Sequence, residues 1–256
     1  MSGSQVNTVN ARQLLILIAV AAAVSFNLLS QSNSPAAAPS TNKNDATIPV
    51  PRTGSMANRQ SEVLQRAKDA PGEYDLEFIG DSITQGWESA GKNVWKEFYG
   101  SRKAINFGVS GDHTQHVLWR FEHGQLDGIK ARVAVVMIGT NNAKDNSESE
   151  ILEGVAAVVR QIRLRQPDTK ILLLAIFPRE KSFSLLRGKI LQVNQALARM
   201  EDGRNIFFLD IGPQFIEDDG SISAEMMKDA VHPGEKGYRI WANAMEPQLK
   251  KLLEKN

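Results

Sequence analysis

A parallel β-sheet of about five strands with helices on both faces is the α/β fold that this sequence predicts, and three observations predict it. Five short apolar runs alternate with amphipathic stretches, most of those runs are apolar at consecutive positions, and no segment repeats another. Alternation of this kind builds parallel sheets covered by crossover helices, and strands buried on both faces need no polar alternation. The chain has 256 residues, 42% of them apolar and 23% charged, which is an ordinary globular balance able to bury a core.

The N-terminus is read apart from this fold. Residues 14–24, LLILIAVAAAV, form an uncharged run preceded by a single charged side chain, Arg12, as in a secretory segment. Extended to Leu29 the run reaches roughly 24 Å as a helix, short of a hydrocarbon core of about 30 Å, so no stable membrane span is expected. Residues 1–29 are therefore expected to be a signal peptide. The protein would be exported, periplasmic or extracellular, or tethered to a membrane if the segment stays uncleaved as an anchor. Residues 30–58, rich in Ser, Asn, Pro, Ala and Thr, have linker composition, which leaves 59–256 as one domain.

Within that domain the expected strands are 75–80 (DLEFIG), 104–108 (AINFG), 133–139 (VAVVMIG), 170–177 (KILLLAIF) and 205–210 (NIFFLD). Helical patterns fill 116–122, 149–165, 185–200 and 235–253. In the last, Tyr238, Trp241, Ala242, Met245, Leu249 and Leu252 fall at three- and four-residue steps along one face. The segment 179–189, REKSFSLLRGK, reads most simply as a solvated loop between strand and helix, with a border of the site at that sheet edge as the alternative.

Charge and composition exclude several functions. A net charge of +1 offers no electrostatic footprint for nucleic acid. With no cysteine there is no disulfide framework, thiolate nucleophile or Cys-ligated metal. A nucleophile must be oxygen or nitrogen.

In open parallel sheets the site lies beyond the carboxyl ends of the strands. There the apolar runs give way to Gly80-Asp81-Ser82, Gly108-Val109-Ser110-Gly111-Asp112 and Gly139-Thr140-Asn141-Asn142. Ser82 can present its hydroxyl at the rim, and Gly111 and Asn141 can offer N–H groups to a developing oxyanion. Asp229-Ala230-Val231-His232, just ahead of the last helix, lets a carboxylate orient an imidazole three residues on. Singly, each of these is more often a turn or a helix cap. Together, in order and each at a predicted strand end or helix start, they supply a nucleophile, a base, an orienting acid and oxyanion donors.

The motifs GDS (80–82), NFGVSGD (106–112), GTNN (139–142) and DAVHP (229–233) resemble the SGNH or GDSL hydrolase superfamily. The longer stretches NFGVSGDHTQHVLWRFEHGQLDGIK and RQPDTKILLLAIFPR look like the catalytic subunits of intracellular platelet-activating-factor acetylhydrolase. The resemblance spans about residues 74–253 and implies a flavodoxin-like, three-layer serine esterase that needs no cofactor and no metal. It implies Ser82 as nucleophile, His232 as base and Asp229 as its partner, with the Ser82 and Gly111 backbone and the Asn141 side chain as the oxyanion hole. The expected substrate is a small-molecule or polysaccharide acyl ester with a short, acetyl-sized acyl group.

Alternatives within the superfamily are an exported carbohydrate deacetylase of acetylxylan-esterase type, a lysophospholipase and a thioesterase. The pattern His232-Pro233-Gly234 resembles the exported deacetylases. Two rival classes stand outside this reading. One is a metal-dependent hydrolase using Asp112, His113, His116 and His123, the other a non-catalytic binding module. Trp87, five residues after Ser82, is the candidate substrate-binding wall, and a homodimer is compatible with the sequence.

Overall fold

The computed structural model describes residues 43–254. The export segment and residues 30–42 of the expected linker lie outside them. Among the described residues no helix is long and apolar enough to cross a membrane.

Five parallel strands form one sheet: β1 (Gly72–Gly80), β2 (Ala104–Gly108), β3 (Ile129–Met137), β4 (Lys170–Leu174) and β5 (Ile206–Leu209), in the order β2-β1-β3-β4-β5. That is the flavodoxin-like order, whose topological switch lies at β1, the strand flanked by β2 and β3. The register aligns the ends of these three strands, pairing Gly80 with Gly108 on one side and with Met137 on the other. The expected strands are all present. The third starts four residues earlier than its apolar run, because Lys130 and Arg132 alternate outward there while Ile129 and Ala131 stay buried.

The connecting helices are α1 (Met56–Asp69), α2 (Ser82–Gln85), α3 (Lys92–Tyr99), α4 (Thr114–Glu122), α5 (Glu148–Arg165), α6 (Leu185–Leu197) and α7 (Glu235–Leu253). Side chains alternate across each strand, so the sheet has two apolar faces. Leu76, Phe78, Val133, Val135, Leu172 and Leu174 pack against Val94 and Tyr99 of α3 and Trp241, Met245 and Leu249 of α7. Ile79, Ala134, Val136, Ile171 and Leu173 pack against α4, α5 and α6 through Val117, Val155, Val158 and Val193. A smaller cluster joins Val63 and Ala67 of α1 to Ile105 and Phe107 of β2.

Local signals set the helix starts. Ser147 caps α5 in a capping box with Glu150, whose carboxylate accepts the Ser147 N–H at 2.8 Å. Ser184 caps α6 by accepting the Arg187 N–H at 3.0 Å.

The linker boundary expected at residue 58 moves forward to residue 44. Residues 44–52 lie across α4 and α5, and α1 begins at Met56. Composition misled here because the segment docks with few large apolar side chains. It uses the fully buried Ala46 and a set of hydrogen bonds: Asn44 Nδ2 to the Glu150 carbonyl at 3.1 Å, Asn146 Nδ2 to Asp45 Oδ1 at 2.6 Å, and Thr114 Oγ1 to the Ala46 carbonyl at 2.7 Å.

Candidate active site

The site is assembled on Gly80. A Cβ there would collide with the Thr84 side chain and the Met137 carbonyl, so only glycine lets α2 fold back against the end of β1. Asp81 caps α2, its Oδ1 accepting the Ile83 N–H at 2.9 Å, which leaves Ser82 as the first helical residue at the rim. From α7, Tyr238 donates its hydroxyl to the Ile83 carbonyl at 2.7 Å and ties the short helix to the far side of the domain.

Ser82 Oγ lies 2.8 Å from His232 Nε2, and His232 Nδ1 lies 2.7 Å from Asp229 Oδ2. The other Asp229 oxygen accepts the backbone N–H groups of Val231 at 3.1 Å and His232 at 2.8 Å, so one carboxylate fixes both the ring and the turn that carries it. That turn is strained at Ala230, whose φ of +56° is costly for a residue with a Cβ. A bond from the Glu180 N–H to the Ala230 carbonyl at 2.9 Å holds it. Burial pushes the Asp229 carboxyl up, but the hydrogen bonds from the His232 ring and backbone outweigh it and set its pKa below the usual carboxylate range. Asp229 is thus ionised, accepts from Nδ1, and leaves Nε2 free to take a proton from Ser82. A hydroxyl so placed can be deprotonated as it attacks.

A second group of residues faces this one from the ends of β2 and β3. Gly108 packs so closely on α2 that a Cβ would overlap the Gln85 backbone. Asn106 bridges the two, donating to the Thr84 carbonyl at 3.0 Å and accepting the Gly108 N–H at 2.8 Å. Gln85 Oε1 accepts the Ser110 N–H at 2.7 Å. The chain then makes a β-turn from Val109 to Asp112, closed by the Asp112 N–H on the Val109 carbonyl at 3.2 Å. Gly111 is its third residue, with φ +73°, and Ser110 keeps a negative φ, as a type II turn requires. Among the described residues the N–H groups of Ser82 and Gly111 have no acceptor.

Asn141 donates one amide hydrogen to the Asp112 carbonyl at 2.8 Å, which aligns its side chain with the Gly111 turn and leaves its second hydrogen for a ligand. Both expected side-chain and backbone donors therefore belong to one hydrogen-bonded unit. Beneath it, Asp112 is fully buried and paired with Arg120 of α4, which is itself fully buried and also donates to Gln125 Oε1 at 2.5 Å and the Phe107 carbonyl at 3.2 Å.

Trp87 is a correction. It is 1% exposed and sits within an aromatic cluster, its ring 4.6 Å from that of Tyr238 and 4.9 Å from that of Trp241. The 3-10 turn Gly86–Glu88 directs the indole inward, so it builds the core, and the depression that it borders with Trp95 and Asn106 includes neither Ser82 nor His232.

The residues considered as metal ligands are engaged elsewhere. Asp112 is paired with Arg120, His116 Nδ1 accepts the His113 N–H at 3.0 Å, and the His123 ring stacks on Trp119. Burial, reinforced by the charges of Arg52 and His113, pulls the His116 pKa down to about 3, so its ring is neutral. Among the described residues no group of three or more metal-ligating side chains converges.

Three features escaped the sequence reading. The first is the buried Asp112–Arg120 pair. The second is Arg179, read as part of a solvated loop but buried and donating to the Thr140 carbonyl at 2.8 Å, next to Asn141. The third is Asp81 itself, whose pKa burial raises to about 7 against the opposing Ile83 N–H and the nearby His232 and Arg179.

Comparisons with known proteins identify the family of the chain. Residues 78–240 match the GDSL-like lipase/acylhydrolase family. The chain is 38% identical over 183 residues to the human platelet-activating factor acetylhydrolase IB subunit alpha2, covering 71% of this chain and 79% of that protein. A GDSL-like lipase from Bacteroides thetaiotaomicron superposes with a TM-score of 0.61 at 21% identity, over 77% of this chain and 99% of that one. An acetylxylan esterase from Geobacillus stearothermophilus superposes with a TM-score of 0.56 at 18% identity, over 72% and 97%. The structural likenesses speak for the fold, and the family match and the sequence identity speak for descent. This chain belongs to the GDSL-like lipase/acylhydrolase family and is a carboxylic-ester hydrolase.

Proposed function

We propose that the protein is a serine esterase that removes short acyl groups, acetyl above all, through an acyl-Ser82 intermediate. The observation that carries the reading is the continuous chain of short contacts from Ser82 Oγ through the His232 ring to Asp229. His232 Nε2 takes the Ser82 proton as Oγ attacks the ester carbonyl, and the oxygen of the tetrahedral intermediate is held by the Ser82 and Gly111 N–H groups and the free Asn141 amide hydrogen. The imidazolium, stabilised by ionised Asp229, returns the proton to the departing alcohol. Water enters in its place and gives a proton to His232 as it attacks the acyl carbonyl, and His232 passes that proton to Ser82 Oγ as the acyl–oxygen bond breaks and the acid leaves. Two relatives carry acetyl esters in their names, an acetylhydrolase subunit and an acetylxylan esterase, and this supports acetyl as the acyl group.

The test is Ser82→Ala assayed on p-nitrophenyl acetate. Hydrolysis is expected to fall by at least about 10³-fold, with circular dichroism and melting temperature unchanged. A folded Ser82→Ala enzyme that keeps its activity overturns the reading.

A further inference from the structure

The segment ahead of α1 does more than pack. Residues 44–52 touch the two loops that hold the candidate oxyanion donors, and their last contact is made by Arg52. Its Nη1 donates to the Gly111 carbonyl at 3.1 Å, and its Nε lies 3.7 Å from Asp112 Oδ1. The guanidinium also covers the open face of Gly111, since a Cβ built there would stand 2.8 Å from Arg52 Nη2. The backbone of Arg52 is pinned in turn, its N–H donating to Gln60 Oε1 of α1 at 2.8 Å.

The rest of the segment is anchored on the same two loops. Val50 donates to the Gln115 carbonyl at 3.3 Å, and Thr114 donates to Ala46, both just beyond the Gly111 turn. Asp45 accepts from Asn146, five residues beyond Asn141. Gly154, in mid-helix, makes room for this. A Cβ there would stand 2.5 Å from Thr114 Oγ1 and 3.0 Å from the Ala46 carbonyl. A helix gives up stability for an interior glycine, so the close approach of the segment is a built feature of α5.

We infer that residues 44–52 form a strap that fixes the orientation of the Gly111 N–H, with Arg52 as its positioning residue. The inference rests on the proposed role of Gly111 as an oxyanion donor. In a type II turn the central peptide, here Ser110–Gly111, stands opposite to its direction in a type I turn, and glycine passes between the two readily. A flip would point the Gly111 N–H away from the nucleophile. Gln85 holds the entrance to that peptide through the Ser110 N–H, and Arg52 holds its exit through the Gly111 carbonyl and by occupying the space above the α-carbon. Arg120 already neutralises Asp112, so Arg52 leaves one positive charge in surplus beside the turn, which favours an anion forming there. The strap lies outside residues 78–240, the range matched by the family.

The experiment is steady-state kinetics of full-length Arg52→Ala beside wild type and Ser82→Ala, with melting curves for each. Because the donor is loosened and not removed, kcat is expected to fall about tenfold with KM within about twofold. A folded Arg52→Ala enzyme with wild-type kcat, or a loss confined to KM, overturns the strap while Ser82→Ala remains inactive. If Arg52→Ala does not fold, Arg52→Gln takes its place with the same two criteria. Activity in Ser82→Ala would instead remove the reading on which the strap depends.

Discussion

The two halves of the site are held in opposite ways. The half proposed to move protons lies at the surface, with the side chains of His232 and Asp229 45% and 55% exposed, and apart from bonds to Ser82 and Glu180 it is held by hydrogen bonds within a four-residue turn. The half that offers N–H groups rests on Asp112 and Arg120, both with side chains 0% exposed, and on hydrogen bonds that link β2, β3, α2 and the strap. The difference fits the role proposed for each half. A base that meets substrate, leaving alcohol and water in turn must be reachable, whereas a donor stabilises a transition state only if it need not reorganise. Exposed pairs contribute little to stability and buried pairs cannot lose a partner cheaply.

Paired substitutions break this contrast most directly. Asp229→Ala is expected to cut kcat by about 10³–10⁴ and to leave the melting temperature within a degree or two of wild type. Arg120→Ala strands a buried carboxylate and is expected to cost about 3–5 kcal/mol, or roughly 10 °C of melting temperature for a domain of this size. Thermal melts and p-nitrophenyl acetate kinetics on both variants check it, and equal melting losses would erase the distinction. Asn141→Ala tests whether the buried half is used in the reaction. Its kcat should drop by about 10²–10³, the usual effect of removing one oxyanion donor, and a loss under about threefold would reject that role.

An effect read as a pH dependence comes from Glu77, a fully buried carboxyl on β1 whose two oxygens have no hydrogen-bond partner. Burial raises its pKa to about 8, opposed by the polar Gln166 side chain nearby. The folded state therefore keeps a proton that the unfolded chain releases near 4.5. Stability from this group is full below the lower value, is lost as pH rises toward 8, and changes no further above it. Glu77→Gln carries no such proton. Its melting temperature relative to wild type should rise between about pH 5 and about pH 8 and then level off, and a pH-independent difference would show that Glu77 is ionised in the core.

Much of this was legible in the sequence because the signals were dense. Strands buried on both faces leave unbroken apolar runs, and at the ends of β1, β2 and β3 those runs break into glycine and polar residues, which marks the rim. Ser82, Asp229 and His232 stand where Gly-Asp-Ser and Asp-x-x-His place them, since a helix start and a tight turn are local structures. Helix α1 was missed because its buried stripe is only Gln60, Val63 and Ala67, too weak a period to separate from a linker. The Asp112–Arg120 pair was missed because charged residues in sequence read as solvated, and only the fold shows both under the sheet edge. Trp87 failed for the converse reason. Nearness to Ser82 along the chain says nothing about the direction of a side chain on a 3-10 turn.

Ser82 and His232 meet across 150 positions of sequence, and His232 stands three residues ahead of the helix whose Tyr238 and Trp241 complete one face of the core. During synthesis all five strands emerge before the base does, and the base is brought to the nucleophile by the same docking event that seals the domain. The chain therefore passes through its longest period of incompleteness with an unactivated serine. On the proposed mechanism, a chain that lacked its last helix and the turn ahead of it would hold Ser82 without the imidazole that activates it.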